Sequence, residues 1–300
     1  MADWRAVMQA HPVVRDYIKN RRWARRGDVV TYAANQENAA FSTDSAGFRH
    51  SVFEGQTIGI AQVLNAKRYG LVMGSSHVFG FGLPGNADTL PSQIGAALGM
   101  PMGNISFPEA DTRTLHAVLT NVLATHPVKP ALIVLFTGGD FTRHAFSAEA
   151  DPVFGSRNVE DARAAEGVDL LAAAAASTPR AIAFSRLWTQ AVVSLARLTQ
   201  VPVVLIDDVT FMEKQTPSAS EQTSALGQSG AADQQRRFAH QRRFGASFFE
   251  MRRNLAAELG VPIMPMSAND TKFIDEFHYD SGSISQTATI FAPHIKRLLS

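Results

Sequence analysis

Two adjacent serines follow a short apolar run in the segment LVMGSSHVFGFGLPG (71–85), where several glycines accompany them. A serine hydroxyl on the turn after a buried strand can act as a nucleophile, but it needs a neighbouring base, usually a histidine oriented by a carboxylate. Such a pair stands near the other end of the chain, where Asp275 precedes His278 by one helical turn of sequence. Asp275 could reach the Nδ1 atom of His278 and leave Nε2 facing a nucleophile. The pattern therefore indicates a triad of His278, Asp275 and one of the two serines, Ser75 or Ser76.

Other interpretations of the same segments have weaker support. A phosphate-binding loop needs a Lys-Ser or Lys-Thr pair after its glycines, and none follows Gly74. The GFGLPG stretch (80–85) has dinucleotide-fingerprint spacing, but its proline and its distance from the strand end argue against that role. A metal site that adds Asp280 to the Asp-His pair lacks a second histidine at ligand spacing. We expect no metal and no cofactor. The alternative is that both segments are surface loops with no catalytic role.

The elements that must position these residues follow from five short, continuously apolar runs. Continuous rather than alternating apolarity is typical of strands buried on both faces, as in a parallel sheet. The runs are 69–75, 101–107, 131–139, 201–208 and 261–266. Stretches with helical periodicity lie at 88–99, 111–125, 181–199, 235–259 and 284–299, with Asp88 and Asp111 as N-caps and Pro293 expected to kink or delay the last helix.

This alternation predicts a three-layer α/β/α fold with a doubly wound, mainly five-stranded parallel sheet of flavodoxin-like order. In such sheets, ligands bind beyond the carboxyl ends of the strands. We expect residues 1–66 to form a helical and strand segment packed on a core domain at 67–300. Two stretches are expected to leave the core, at about 141–180 and 213–234. The second is rich in Ser, Gln, Gly and Ala, which predicts a mobile loop, with an active-site lid as the alternative.

Together, these motifs resemble the SGNH hydrolases, or GDSL-type esterases. The resemblance includes Gly74, Ser76 and Gly80 on the first core strand and its turn, and the Asp-x-x-His before the last helix. The segment DSAGFRHS (44–51) is similar to the Asn-Ser-x-Gly-Phe-Arg stretch that precedes the catalytic strand in many bacterial members. The resemblance extends over residues 44–299. It implies Ser76 as nucleophile, with Ser75 at the family's Asp position, His278 as base and Asp275 as the orienting carboxylate.

The resemblance also implies an oxyanion hole that this chain alters. The family uses the N–H of the nucleophile, a glycine N–H after the second strand and an asparagine side chain after the third. Here Glu109 or Ala110 occupies the glycine position, and the third loop, FTGGDFT, contains no asparagine. An ionised Asp140 would repel an oxyanion, so it would have to be protonated or to position another group. The candidates for oxyanion or substrate contact are Ser76, Glu109, Ala110, Gly139, Asp140 and His77.

Composition limits the remaining function classes. The 300-residue chain has a net charge of +1, which gives no reason to expect a nucleic-acid partner. Because it contains no cysteine, disulfides and thiolate metal sites are excluded. The sequence shows neither an apolar signal segment nor an apolar run long enough to span a membrane, so we expect a cytoplasmic protein. Its oligomeric state is left open.

The function implied by the resemblance is a serine esterase that removes an O-acyl group, in the first place acetyl, from a carbohydrate or a small metabolite. Transfer of the acyl group to a glycan hydroxyl in the same site is the second interpretation. The altered oxyanion loops motivate a third, a non-catalytic descendant that binds a glycan or a protein. Among other polar residues, Arg49 could brace the N-terminal segment near the active-site face. Asp207 and Asp208 could hydrogen-bond a loop or contact the substrate.

Overall fold

The computed structural model describes residues 12–26, 29–108, 110–140, 150–151, 155–156, 170–207, 209–226, 232–275 and 278–300. Its strands are β1 (Trp23–Arg26), β2 (Val29–Tyr32), β3 (Ser51–Phe53), β4 (Gln56–Ile58), β5 (Gly70–Gly74), β6 (Met102–Ser106), β7 (Leu132–Phe136), β8 (Ala150–Asp151), β9 (Gly155–Ser156), β10 (Val203–Asp207) and β11 (Ile263–Pro265). Its helices are α1 (Pro12–Asn20), α2 (Ile60–Leu64), α3 (Ser76–Phe79), α4 (Leu90–Leu98), α5 (Thr112–Thr125), α6 (Leu170–Leu198), α7 (Ala219–Leu226), α8 (Ala232–Leu259) and α9 (Ser281–Leu299).

The five apolar runs form one parallel sheet with the spatial order β6-β5-β7-β10-β11, which confirms the predicted fold class. Every residue of β5, β6, β7 and β10 is buried, as their continuous apolarity predicts. The chain winds to one side from β5 to β6 and then reverses to β7. This reversal opens a crevice at the carboxyl ends of β5 and β7, and the turn that carries Ser76 follows β5.

Two apolar layers cover the faces of the sheet. On one face, Val72 of β5 belongs to a cluster with Ile94 of α4 and Phe291 of α9. On the other face, the neighbouring Leu71 packs in a cluster that includes residues of α5, α6 and α8, such as Leu119. Successive strand residues point to opposite faces, so each central strand contributes to both layers. The sheet is therefore held rigidly from both sides, and its loops project from a fixed edge.

Several predicted helix boundaries shift for identifiable reasons. Asp111 caps α5 as predicted, since its side chain accepts from Thr114 N at 2.8 Å. Asp88 does not cap α4, because it closes a 3-10 turn and Thr89 takes the cap position. Pro293 does not delay α9, which starts at residue 281 behind the Asp280 cap and continues through the proline.

The two predicted excursions are partly helical. Helix α6 already begins at residue 170, so the alanine-rich run 172–176 lies inside it, in keeping with the high helix propensity of alanine. The loop prediction for 213–234 is wrong for 219–226 and from residue 232 onward, which form α7 and the start of α8. Residues 141–149, 152–154, 157–169 and 227–231 lie outside the described ranges. The division at residue 66 stays a prediction.

The N-terminal segment packs against the turn after α3. Tyr17 and Tyr32 belong to one buried cluster with Phe79, Phe81 and Ile274. In sequence, Phe79 and Phe81 closely follow Ser76, and Ile274 closely precedes His278. The Tyr17 and Tyr32 hydroxyls are 2.5 Å apart inside this cluster. Over the described ranges, no helix combines the length and apolarity needed to cross a bilayer.

Candidate active site

The turn that carries Ser76 is built on a close contact that only glycine permits. A Cβ atom on Gly74 would lie 2.6 Å from Val78 Cγ2 and 2.9 Å from Phe136 Cβ. Without one, α3 folds back tightly onto the end of β5, with Ser75 at its N-cap and Ser76 as its first residue. The Ser76 N–H is thus among the first-turn donors that a helix cannot pair internally.

Helix α3 is held at its middle and at its end. The Asn104 side chain, on the neighbouring strand β6, donates from Nδ2 to Val78 O at 3.3 Å. The helix ends at Gly80, which has the left-handed φ of +84° that favours glycine. Arg49 Nη1 donates to Gly80 O at 2.5 Å and to Phe79 O at 3.3 Å. These bonds fix the middle and the end of the short helix that carries Ser76.

Arg49 connects this turn to the N-terminal segment, as the sequence suggested. Its side chain is 1% exposed and also donates to Ala40 O, Gly85 O and Asn86 Oδ1 at 2.8–3.0 Å. Burial lowers the pKa of the Arg49 guanidinium to about 10. The cation is therefore solvated by carbonyl oxygens and an amide, and it joins several chain segments at one point.

The structure brings together the three residues that the sequence selected. His278 Nε2 lies 2.8 Å from Ser76 Oγ, across 202 positions of sequence. His278 Nδ1 lies 2.7 Å from Asp275 Oδ2, and His278 N donates to Asp275 Oδ1 at 2.9 Å. With the proton on Nδ1 donated to the carboxylate, Nε2 is the atom that accepts from the hydroxyl. Asp275 is only 3% exposed, so little water competes for its oxygens.

A short hairpin, residues 272–280, presents the histidine. Phe273 and Tyr279 form an antiparallel bridge, and Ile274 N donates to His278 O at 2.7 Å. We call this segment the histidine hairpin; its residues 276–277 lie outside the described ranges. The Tyr279 hydroxyl donates to the carbonyl oxygen of Val209, after β10, at 2.7 Å. The hairpin is thus tied to the carboxyl edge of the sheet.

Two aromatic rings contact the His278 imidazole, with centroids 4.4 Å (Phe81) and 5.0 Å (His77) away. His77 Nδ1 also lies 3.3 Å from Ser75 Oγ. Sequence reasoning did not select Phe81, because the contact is tertiary. The sequence signal that marks its position is the pair of flanking glycines, Gly80 and Gly82, which both have positive φ.

Two predicted oxyanion candidates have other hydrogen-bond partners. Ala110 N donates to Phe107 O at 3.1 Å, so this N–H is used inside its own loop. The carboxylate of Asp140 accepts from Thr112 N at 2.7 Å and from Thr112 Oγ1 at 2.6 Å. Burial raises the pKa of Asp140, and the Thr112 hydrogen bonds oppose that rise. Asp140 therefore joins the helical turn 138–140, after β7, to the start of α5, while Glu109 lies outside the described residues.

Gly139 lies against the turn that carries Ser76, in the helical turn 138–140 after β7, where the family resemblance implies an asparagine. A Cβ on Gly139 would lie 2.9 Å from Ser75 Cβ and 3.0 Å from both Ser75 Oγ and Ala110 O. No side chain fits there without displacing Ser75 or Ala110. The close approach places the Gly139 backbone, rather than a side-chain amide, beside Ser75.

The carboxylate of Asp207 pairs with two arginines of α8. Its carboxylate accepts from Arg252 Nη2 at 2.8 Å and from Arg253 Nη1 at 3.0 Å, so it anchors α8 to the end of β10. Asp208 lies outside the described ranges. Within those ranges, no three His, Asp or Glu side chains gather as a metal site would require.

The known proteins to which this chain is similar are found among solved structures. No protein-family model matches the sequence, and no curated protein matches it. Among solved structures, the chain is similar to a member of the lipolytic protein G-D-S-L family from Veillonella parvula, with 12% identity, a TM-score of 0.47 and coverage of 77% of this chain and 99% of the other. A GDSL-like lipase from Bacteroides thetaiotaomicron matches at 11% identity and a TM-score of 0.44, over 78% and 88% of the two chains.

A carbohydrate esterase family 2 enzyme with a carbohydrate binding domain, from Corynascus thermopiles, matches at 11% identity and a TM-score of 0.45, over 93% of this chain and 86% of the other.

Proposed function

We propose that this protein is a serine esterase of SGNH type that removes an O-acyl group from a carbohydrate or a small metabolite. The observation that carries the proposal is the continuous hydrogen-bond chain from Ser76 Oγ through His278 to the buried carboxylate of Asp275. A hydroxyl, an imidazole and a carboxylate in this order are the parts that acyl transfer through a serine requires.

In the proposed reaction, Ser76 Oγ attacks the ester carbonyl carbon while His278 Nε2 takes the hydroxyl proton. The tetrahedral intermediate collapses, the C–O bond to the alcohol breaks, and His278 returns the proton to that alcohol. Water then attacks the acyl-enzyme with His278 as base, which releases the acid and restores Ser76. Asp275 holds the imidazole in the required tautomer and stabilises the imidazolium. The first-turn N–H of Ser76 supplies one donor to the oxyanion.

A polar cleft of about 520 Å³ lies between the N-terminal segment and the turn at Gly85 and Asn86. None of the triad residues lines this cleft, so it is a candidate site only for a part of the substrate remote from the reacting ester. Its lining is mainly amides and hydroxyls, and Glu37 is the one acidic side chain among the residues that line it: Asn35, Gln36, Glu37, Asn38, Ala39, Ala40, Phe41, Ser42, Thr43, His50, Thr57, Gly85 and Asn86. Arg49 links two of its walls, Ala40 and Gly85, to Gly80 at the end of the nucleophile helix. Neutral amides and hydroxyls suit the hydroxyls of a sugar better than a charged ligand.

The test compares the two neighbouring serines. Wild type should hydrolyse p-nitrophenyl acetate and react with a fluorophosphonate probe, whereas Ser76→Ala should do neither. Ser75→Ala is the matched control and should retain both activities. His278→Ala should lose hydrolysis while its melting temperature stays close to that of wild type.

A wild type that is inert toward both the ester and the probe would overturn the esterase proposal. In active enzyme, formation of an acylated sugar when a glycan acceptor is added would instead identify a transferase. If Ser75→Ala were inactive and Ser76→Ala active, the nucleophile would be the preceding residue.

A further inference from the structure

A buried ion pair, Lys214 with Glu221, lies in the segment 213–226, which the proposed mechanism does not use. Lys214 Nζ is 2.7 Å from Glu221 Oε1, and both side chains are 7% exposed. Removing one partner of such a pair destabilises the protein, because the other charge is left buried and uncompensated.

Both members of the pair also bond to the chain that leads into the histidine hairpin. Lys214 Nζ donates to Thr271 O at 2.7 Å, and Glu221 Oε1 accepts from Phe273 N at 3.1 Å. The ammonium lies 5.9 Å from the centroid of the Phe273 ring. Two backbone groups on either side of Lys272, at the base of the hairpin, are therefore held by one ion pair.

The second oxygen of the Glu221 carboxylate holds segment 213–226 itself. Glu221 Oε2 accepts from Ser218 N and Ser218 Oγ, each at 2.8 Å, so the carboxylate also caps the start of α7. Gln215 N donates to Asn269 Oδ1 at 2.9 Å, which adds a second link to the chain before the hairpin. Segment 213–226 is thus a rigid support beside the hairpin.

The internal bonds of the hairpin fix only the half of the triad made by Asp275 and His278. The position of the hairpin depends on its ties to the rest of the fold, which include the Tyr279 bonds to Val209 and the bonds to the ion pair. The Asp275 contacts to His278 are local and would survive a movement of the whole hairpin. The 2.8 Å distance from His278 Nε2 to Ser76 Oγ depends on where the hairpin sits relative to β5. A shift of about 1 Å at a reacting pair is enough to cost about two orders of magnitude in rate.

We propose that Lys214 and Glu221 are positioning residues for His278: the buried ion pair holds the base of the histidine hairpin and thereby sets the distance between the imidazole and the Ser76 hydroxyl. This inference rests on the proposed function only for its kinetic consequence. The placement of the hairpin can be measured without catalysis.

The test uses Lys214→Met and Glu221→Gln in the full-length protein. Glu221→Gln keeps the shape and one carbonyl acceptor, so it serves if Lys214→Met does not fold. With p-nitrophenyl acetate, each variant should lose at least about ten-fold in kcat with KM within about two-fold, and Lys214→Arg should recover part of the loss. The second readout is amide hydrogen exchange of Ile274, whose N–H bonds to His278 O. It should accelerate by at least about ten-fold in both variants.

Two controls separate positioning from general destabilisation. Leu119→Ala removes a buried core side chain of α5, which is distant in sequence from segment 213–226 and from the histidine hairpin. Arg186→Met breaks the exposed ion pair with Glu258 between α6 and α8. At a temperature where circular dichroism shows all variants folded, neither control should change kcat or Ile274 exchange.

The inference is overturned if folded Lys214→Met and Glu221→Gln keep wild-type kcat and wild-type exchange, or if Leu119→Ala reproduces their losses. A wild type inert toward the ester would reject the esterase proposal alone. Hydrogen exchange would then decide: acceleration confined to the hairpin supports the positioning role, and unchanged exchange rejects it.

Discussion

Replacement of Asp275 by asparagine tests whether the carboxylate is needed to hold the imidazole. Asp275 accepts two hydrogen bonds from His278, one from Nδ1 and one from the backbone N–H. An asparagine has a single acceptor oxygen, so one of these bonds becomes a contact between two donors. If the amide NH₂ faces Nδ1, the ring proton moves to Nε2, which can then no longer accept the proton of Ser76.

The size of the effect follows from the bonds that are lost. A hydrogen bond to a charged group contributes about 1.5–3 kcal/mol and a neutral one about 0.5–1.5 kcal/mol, so the loss of one bond and the weakening of the other give about 2.5–4.5 kcal/mol. Because about 1.36 kcal/mol corresponds to ten-fold in rate, kcat should fall by about 10²–10³-fold. KM should stay within about two-fold, because the 3% exposed carboxylate cannot contact a substrate.

The assay is steady-state hydrolysis of p-nitrophenyl acetate at neutral pH, with circular dichroism to show that each variant is folded. Asp270→Asn is the matched control, because it makes the same chemical change at an exposed aspartate that precedes the same hairpin and does not touch His278. The reasoning would be refuted by a folded Asp275→Asn enzyme within about three-fold of wild type, or by equal losses in the two variants.

Three further predictions concern the support of the site. Arg49→Met should lower the unfolding free energy by about 2–5 kcal/mol in urea titrations, because several buried carbonyls lose their donor; an unchanged midpoint would contradict this. Gly139→Ala should reduce kcat by at least about ten-fold through its clash with Ser75, whereas Gly282→Ala, with no atom closer than 3.6 Å, should leave kcat unchanged. Although burial opposes ionisation of Glu221, hydrogen bonds from its ammonium partner and nearby donors lower its pKa from 4.5 to about 2. Its contribution to stability is therefore present above about pH 4.5 and lost as pH falls toward 2, so urea midpoints should drop over this range more in wild type than in Glu221→Gln.

The sequence by itself determined the fold class and the choice of triad candidates. Four of the five central strands are buried at every position, and this burial requires the continuous apolar runs that are visible in the sequence. The close packing at Gly74 needs a glycine and the capping of α5 needs a side chain such as Asp111, so both are visible in a single sequence. These signals include contacts within a few positions of sequence, such as those of Gly74 with Val78 and of Asp111 with Thr114.

Tertiary structure alone decided what the polar residues contact. Asp140 is a plausible oxyanion neighbour in the sequence, yet its carboxylate bonds to Thr112. The segment 213–226 has no apolar periodicity, yet the pairing of Lys214 with Glu221 and the backbone of the histidine hairpin makes it a buried support. The partners of a buried charge are chosen by what the fold brings within about 3 Å. Residues on distant strands and loops meet at that range only once the sheet has been assembled, so no local pattern encodes those contacts.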